Sequence, residues 1–258
     1  MDHSYILEME NGRIMVRTRG SGPHLLLALH GYGDQSLLFE RLVPELCAGY
    51  LVVAIDLPQH GQTEWRKACF DKKDLLEIVS LLQQKHPHQN ISLLGFSMGA
   101  RLWLSLLPDC SLSVTELILL APDGIKTRGL RIVETFPISV RSWLLQRIRM
   151  NKLLAKGLIT LGKQSWLPDS IRHFTARHFR NPQKLERALV WWEYLGGFPV
   201  QKQGVRQWAQ QSGTRIKVWL GEQDPLLREE DLQLFWGAAA LDIMVIPGAG
   251  HMVGFYKR

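Results

Sequence analysis

Six short runs along the chain are apolar almost without interruption: HLLLALH at 24–30, LVVAI at 51–55, ISLL at 91–94, ELILL at 116–120, IKVWL at 216–220 and DIMVI at 242–246. A strand solvated on one face alternates apolar and polar positions. Continuous runs instead predict strands covered on both faces, as in a parallel sheet. Between them, residues 37–46, 71–85 and 98–107 set apolar side chains three and four positions apart, the period of a helix with one buried face. Strand, helix, strand, helix predicts an α/β fold, a mostly parallel sheet flanked by helices. Ahead of the first run, residues 5–10 and 13–19 flank Asn11-Gly12, a dipeptide favoured in hairpins, and predict an antiparallel pair.

The alternation stops near Asp123 and resumes at Thr214. In between, segments 140–149, 152–161, 168–179 and 182–194 read as helices, punctuated by Pro137, Pro168, Pro182 and Pro199. This predicts a core built from residues 1–122 and 201–258, with residues 123–200 inserted as a helical cap. Charge separates the two. Residues 123–200 hold 14 Lys and Arg against 5 Asp and Glu, a net of +9, whereas the remainder holds 17 against 19, a net of −2. The basic insertion is either a solvated helical surface or a surface for an anionic substrate or partner. No recognised nucleic-acid module is present, so nucleic acid is not expected.

Composition removes other classes. The 258 residues are 46% hydrophobic and 21% charged, which excludes disorder or a coiled coil as the main state. No apolar run approaches the roughly 18 residues a spanning helix needs. The opening MDHSYILEMENGRIMV places acids where a signal peptide carries basic residues. Cys47, Cys69 and Cys110 are too few and too scattered for a disulfide framework or a metal site. A cytoplasmic protein with no transmembrane segment is the expectation. No phosphate loop, HExxH or dinucleotide fingerprint occurs, so no metal, nucleotide or flavin cofactor is implied. Asp56 and His60 in DLPQHG lack a third ligand at useful spacing and read as a turn-stabilising network.

The sharpest motif is Gly95-Phe96-Ser97-Met98-Gly99, which follows the run ISLL and opens a helical segment. Strand, tight turn and helix form the setting of a nucleophile elbow, which projects a serine hydroxyl above the strand ends. A serine hydroxyl needs an imidazole to take its proton, and the imidazole needs a carboxylate to fix its tautomer. Asp224 in GEQDP and His251 in GAGHM follow, each just beyond an apolar run, giving the order Ser…Asp…His. Asp123 is the alternative acid. His30-Gly31-Tyr32-Gly33 follows the first long run, and the backbone N–H groups of Tyr32 and Met98 would form an oxyanion hole. His30 itself reads as a structural hydrogen-bonding group.

HGYGD, DLPQHG, GFSMGA, GEQD and GAGH occur in the order found in α/β-hydrolase-fold proteins with a helical cap, and the chain resembles that family over nearly its whole length. The resemblance implies a serine hydrolase with Ser97, His251 and Asp224 as its triad, cleaving a carboxylic ester or thioester. Two branches are similar in more detail. Arg101, four residues after Ser97, resembles the arginine of the menaquinone-pathway SHCHC synthases, which use the triad as a base in an elimination on an acidic substrate. The basic cap resembles that of esterases acting on acyl groups held by acyl carrier protein, such as pimeloyl-carrier methyl ester esterase, and implies an acidic carrier as partner. Trp191 and Trp192, with other aromatic residues of the insertion, are candidates for lining an acyl pocket or for packing the cap. A non-catalytic binding protein of the same fold is the remaining alternative. Seven residues follow His251, where family members continue into a longer final helix, so thinner support behind His251 is expected.

Overall fold

The computed structural model describes residues 2–87, 90–125, 182–237 and 241–255, with scattered positions between 140 and 164. The chain divides into two compact units, Met1–Lys126 with Val200–Arg258, and Thr127–Pro199.

The first unit holds the sheet. Its strands are β1 (His3–Met9), β2 (Gly12–Arg19), β3 (His24–Leu29), β4 (Tyr50–Ile55), β5 (Glu64–Trp65), β6 (Ile91–Phe96), β7 (Glu116–Leu120), β8 (Arg215–Gly221) and β9 (Asp242–Ile246). Their order is β1-β2-β4-β3-β6-β7-β8-β9, with the short β5 also on β2. β1, β2 and β4 pair antiparallel, while every pairing from β4 through β3 and β6 to β9 is parallel. The apolar runs behave as expected at the centre: every residue of β6 and β7 is buried.

Helices α1 (Pro44–Cys47), α2 (Lys72–Lys85) and α3 (Met98–Leu106) join these strands. Asp71 starts α2: its carboxylate accepts from the N–H groups of Lys73 and Asp74, and Asp74 accepts from the Asp71 N–H in return. Leu75, Ile78, Val79 and Leu82 form its buried stripe. α3 is buried at all nine positions, so it is a core helix rather than an amphipathic surface one.

Two local expectations are corrected. The hairpin loop is Glu10-Asn11, and Gly12 opens β2 opposite Met9. Glycine is needed there because a Cβ would collide with the Glu64 carbonyl of β5. The helix expected over 37–46 is interrupted: a 3-10 segment Ser36–Arg41 gives way to extended backbone at Leu42 and Val43 before α1. Pro44 disfavours helical backbone in the residue before it, and the extended pair is then used in tertiary pairing. Leu42 bridges Phe255, and Val43 N–H donates to the Gly254 carbonyl at 3.0 Å.

Among the described residues, β5, α5 (Lys202–Ser212) and α6 (Glu229–Trp236) were not expected. α5 buries only Val205 and α6 spans two turns, so neither leaves a long apolar stripe in the sequence. In the second unit, α4 (Pro182–Leu195) covers the segment expected at 182–194. The helices expected at 140–149, 152–161 and 168–179 fall largely outside the described residues. Among the described residues no helix is long and apolar enough to cross a membrane.

Candidate active site

β6 delivers the chain to Ser97, whose backbone has φ 49° and ψ −112° before α3 begins at Met98. A non-glycine residue in that region is strained, by about 1–3 kcal/mol, so neighbouring contacts must enforce it. Ser97 N–H donates to the Leu120 carbonyl at 2.9 Å, and the Ser97 carbonyl accepts from Asp123 N–H at 3.1 Å and Ala100 N–H at 3.0 Å. The flanking glycines are sterically required. A Cβ at Gly99 would strike the Leu29 carbonyl, and one at Gly95 the backbone of Ala100. The turn is thereby wedged between β3 and its own helix.

β8 and β9 supply the partners. Asp224 follows β8 and His251 follows β9. Gly221 lets the two loops meet, because a Cβ there would overlap the Ala249 and Gly250 carbonyls. The Ser97 hydroxyl lies 2.9 Å from His251 Nε2, and His251 Nδ1 lies 2.8 Å from Asp224 Oδ2. A carboxylate only accepts, so Nδ1 carries the proton and Nε2 is open to accept the serine O–H. The other carboxylate oxygen, Oδ1, accepts from Leu226 N–H at 2.8 Å, which fixes the carboxylate's rotation. The Asp224 side chain is fully buried. Among the described residues no cluster of His, Cys, Asp and Glu is arranged to hold a metal ion.

Support behind His251 comes from the few residues after it. Val253 and Phe255 are buried in the core. The Phe255 ring stands 5.3 Å from Phe96 and 6.0 Å from Phe39, and the Phe96 ring lies 5.4 Å from the His251 imidazole. With the Leu42 bridge and the Val43 bond, residues 253–255 are anchored to backbone and core.

The loop His30-Gly31-Tyr32-Gly33 passes directly beside the serine. A Cβ on Gly31 would stand 3.3 Å from the Ser97 Cβ and 2.9 Å from the Phe96 ring. This is the loop, together with the first residue of α3, from which the Tyr32 and Met98 N–H groups were expected to act. The loop is held from beneath by the segment after β4. Asp56, fully buried, accepts from Arg17 at 3.0 and 3.1 Å, from the Ser36 N–H at 2.7 Å and hydroxyl at 2.5 Å, and from Gln62 N–H at 2.9 Å. Burial alone would push this carboxyl up, but those donors, the Ser36 hydroxyl first, hold it below its ordinary value of 3.8. Arg17 and Ser36 had no signature in the sequence. Arg17 reaches Asp56 because β2 runs antiparallel to β4.

His30 is completely buried, and burial lowers it from 6.5 to about 4, against smaller opposing effects of the Gly31 carbonyl and Asp56. Between pH 6.5 and about 4 it is therefore neutral in the fold and charged in the unfolded chain. Its contribution to stability is complete above 6.5 and is lost as pH falls toward 4, about 3 kcal/mol in all. Urea midpoints measured from pH 7 to 4 are expected to fall for the wild type and to fall less for His30→Asn.

Asp123 does not pair with His251; its carboxylate stands 3.7 Å from the Arg101 guanidinium. Arg101 is buried on the first turn of α3, with its stem against Gly124. Trp191 and Trp192 lie on α4, in the second unit. Trp191 is buried and stacks edge-on with Tyr194 at 5.5 Å, and Trp192 is half-buried.

Residues 24–257 match the model of the alpha/beta hydrolase fold family. The chain belongs to that family. Among curated relatives it is 31% identical over 102 residues to a 2-(acetamidomethylene)succinate hydrolase of Mesorhizobium japonicum, covering 39% of this chain and 36% of that protein. It is 32% identical over 107 residues to a probable serine hydrolase of Drosophila melanogaster, covering 40% of this chain and 32% of that protein. The chain thus spans about a third of the length of these relatives. Of solved structures, the thioesterase domain from the curacin biosynthetic pathway superposes with a TM-score of 0.63 at 19% identity, over 98% of this chain and 95% of that one. An esterase from Exiguobacterium antarcticum gives 0.60 at 17%, over 98% and 93%. At these identities the family's fold is what is shared.

Proposed function

We propose that the protein is a serine hydrolase that cleaves a carboxylic ester or thioester through an acyl-enzyme on Ser97. The observation that carries this is the unbroken relay Ser97 Oγ, His251 Nε2, His251 Nδ1, Asp224 Oδ2, with both links at hydrogen-bond length. Ser97 Oγ attacks the substrate carbonyl carbon as its proton passes to His251 Nε2. The negative charge that develops on the carbonyl oxygen is met by the N–H groups of Tyr32 and Met98. The bond to the leaving alcohol or thiol then breaks, and the leaving group takes the proton from His251. Water gives a proton to His251 and attacks the acyl carbon. The carboxylic acid departs, and the proton returns to Ser97. Asp224 holds the imidazole in the accepting tautomer and stabilises its charged form.

The substrate is proposed to be anionic or carried by an acidic acyl carrier protein, selected by residues 123–200 acting as a cap. The support is the net +9 of that segment, and the Mesorhizobium relative's name, a hydrolase of a succinate derivative, fits an anionic substrate. The elimination reading has less support, because the arginine that suggested it, Arg101, is buried and faces Asp123. The test is hydrolysis of p-nitrophenyl esters from acetate to long acyl chains, alongside a hemisuccinate ester, by the wild type and by a variant with several cap arginines changed to glutamate. The expected result is turnover by the wild type, with at least a tenfold loss on the anionic ester and little change on neutral ones in the variant. Equal loss on both would remove the cap from substrate choice.

A further inference from the structure

The segment Asp56–His60, flagged in the sequence and not used by the triad, touches the oxyanion loop through two histidines. Leu57 N–H donates to His30 Nε2 at 3.0 Å, and His30 Nδ1 donates to the Gly31 carbonyl at 2.7 Å. Gly33 N–H donates to His60 Nε2 at 2.9 Å, and His60 Nδ1 donates to the Pro58 carbonyl at 3.0 Å. These assignments are forced by the partners: a backbone N–H can only donate and a carbonyl can only accept, so each imidazole is neutral with its proton on Nδ1. The two rings stand 4.9 Å apart, and the Tyr32 ring packs edge-on to His60 at 5.6 Å. The tripeptide Gly31-Tyr32-Gly33 is therefore fastened at both ends, by His30 at its first carbonyl and by His60 at its last N–H. His60 is 2% exposed, and its loop is itself fixed through Asp56 to Arg17 and Ser36.

From this juxtaposition we infer that His60 is a positioning residue for the oxyanion hole: its neutral Nε2 holds Gly33 so that the preceding Tyr32 N–H is aimed beside Ser97. Gly33, at φ +79°, has no side chain of its own to hold that conformation. The inference rests on the acyl-transfer reading above and adds to it a residue outside the triad. An oxyanion donor works only if it is in place before charge develops. Removing one typically lowers kcat by about 10²- to 10³-fold, and loosening its support is expected to forfeit part of that.

Two substitutions of similar polarity separate positioning from mere filling of space. In His60→Gln the side-chain oxygen sits where Nε2 was and still accepts from Gly33. In His60→Asn the amide sits where Nδ1 was, reaches Pro58 and leaves Gly33 without its acceptor. Both are measured with the wild type for kcat and KM on a p-nitrophenyl ester, for inhibition by a trifluoromethyl ketone that adds to a catalytic serine as an oxyanion, and for thermal midpoint. The expected result for His60→Asn is a kcat lowered about 30- to 100-fold, KM within twofold, and a ketone Ki raised in parallel. His60→Gln is expected within about fivefold of the wild type on all three. Equal losses in both variants, or losses that follow the thermal midpoint while the ketone Ki is unchanged, would make His60 a structural residue and overturn the inference. Full activity in His60→Asn would overturn it as well, while leaving the acyl-transfer reading intact. A wild type with no turnover of any ester would overturn that reading, and this inference with it.

Discussion

Ser97→Ala is expected to lower kcat for p-nitrophenyl esters by about 10⁵-fold or more, leaving only what the oxyanion donors and binding contribute. The reason is that Ser97 is the hydroxyl within hydrogen-bond reach of His251 Nε2, at 2.9 Å, and the backbone at φ 49° exists to present it. Fold stability should scarcely change, since alanine inherits the same backbone and the bonds to Leu120, Asp123 and Ala100 are main-chain. Ser97→Gly completes the pair: it is equally inactive, but glycine adopts positive φ without strain, so the protein gains about 1–2 kcal/mol. Activity and thermal midpoint measured on both variants separate the chemical from the conformational role of this position. Residual turnover above one per cent in Ser97→Ala would mean that another nucleophile does the work.

Asp224→Asn is expected to lower kcat by about 10⁴-fold while leaving the fold intact. Leu226 N–H donates to Oδ1, so an asparagine at this site keeps its carbonyl oxygen there and turns its NH₂ toward His251. Two donors then face each other unless the imidazole moves its proton to Nε2. In that tautomer Nε2 no longer accepts the proton of Ser97. The loss should appear in kcat with KM little altered, and labelling of Ser97 by a fluorophosphonate should slow in step. If Asp123 were the acid, Asp123→Asn would show this loss instead. That carboxylate lies near Arg101 and is half exposed, so its substitution is expected to change kcat by less than threefold.

The central strands were legible because both faces of β6 and β7 are covered, so hydrophobicity is continuous along them. Each proposed triad residue was legible because it follows such a run within a few positions. The fastening of those residues was not. Arg17 and Asp56 are 39 residues apart and meet only through the antiparallel β2–β4 pairing, which no local pattern encodes. The break of the first helical segment at Pro44 was visible as a proline. Its use, freeing Leu42 and Val43 to bind the segment behind His251, depends on residues 254 and 255. His60 stood out in DLPQHG, but its contact with Gly33 belongs to the meeting of two loops.

The claim that Ser97 carries the acyl group is tested most directly by trapping it. The wild type is mixed with a p-nitrophenyl ester, quenched in acid during turnover, and analysed by intact mass and peptide mapping. One acyl adduct per chain is expected, on the peptide containing Ser97 and absent from Ser97→Ala. Release of p-nitrophenol with no adduct at any time, or an adduct confined to another residue, would contradict it.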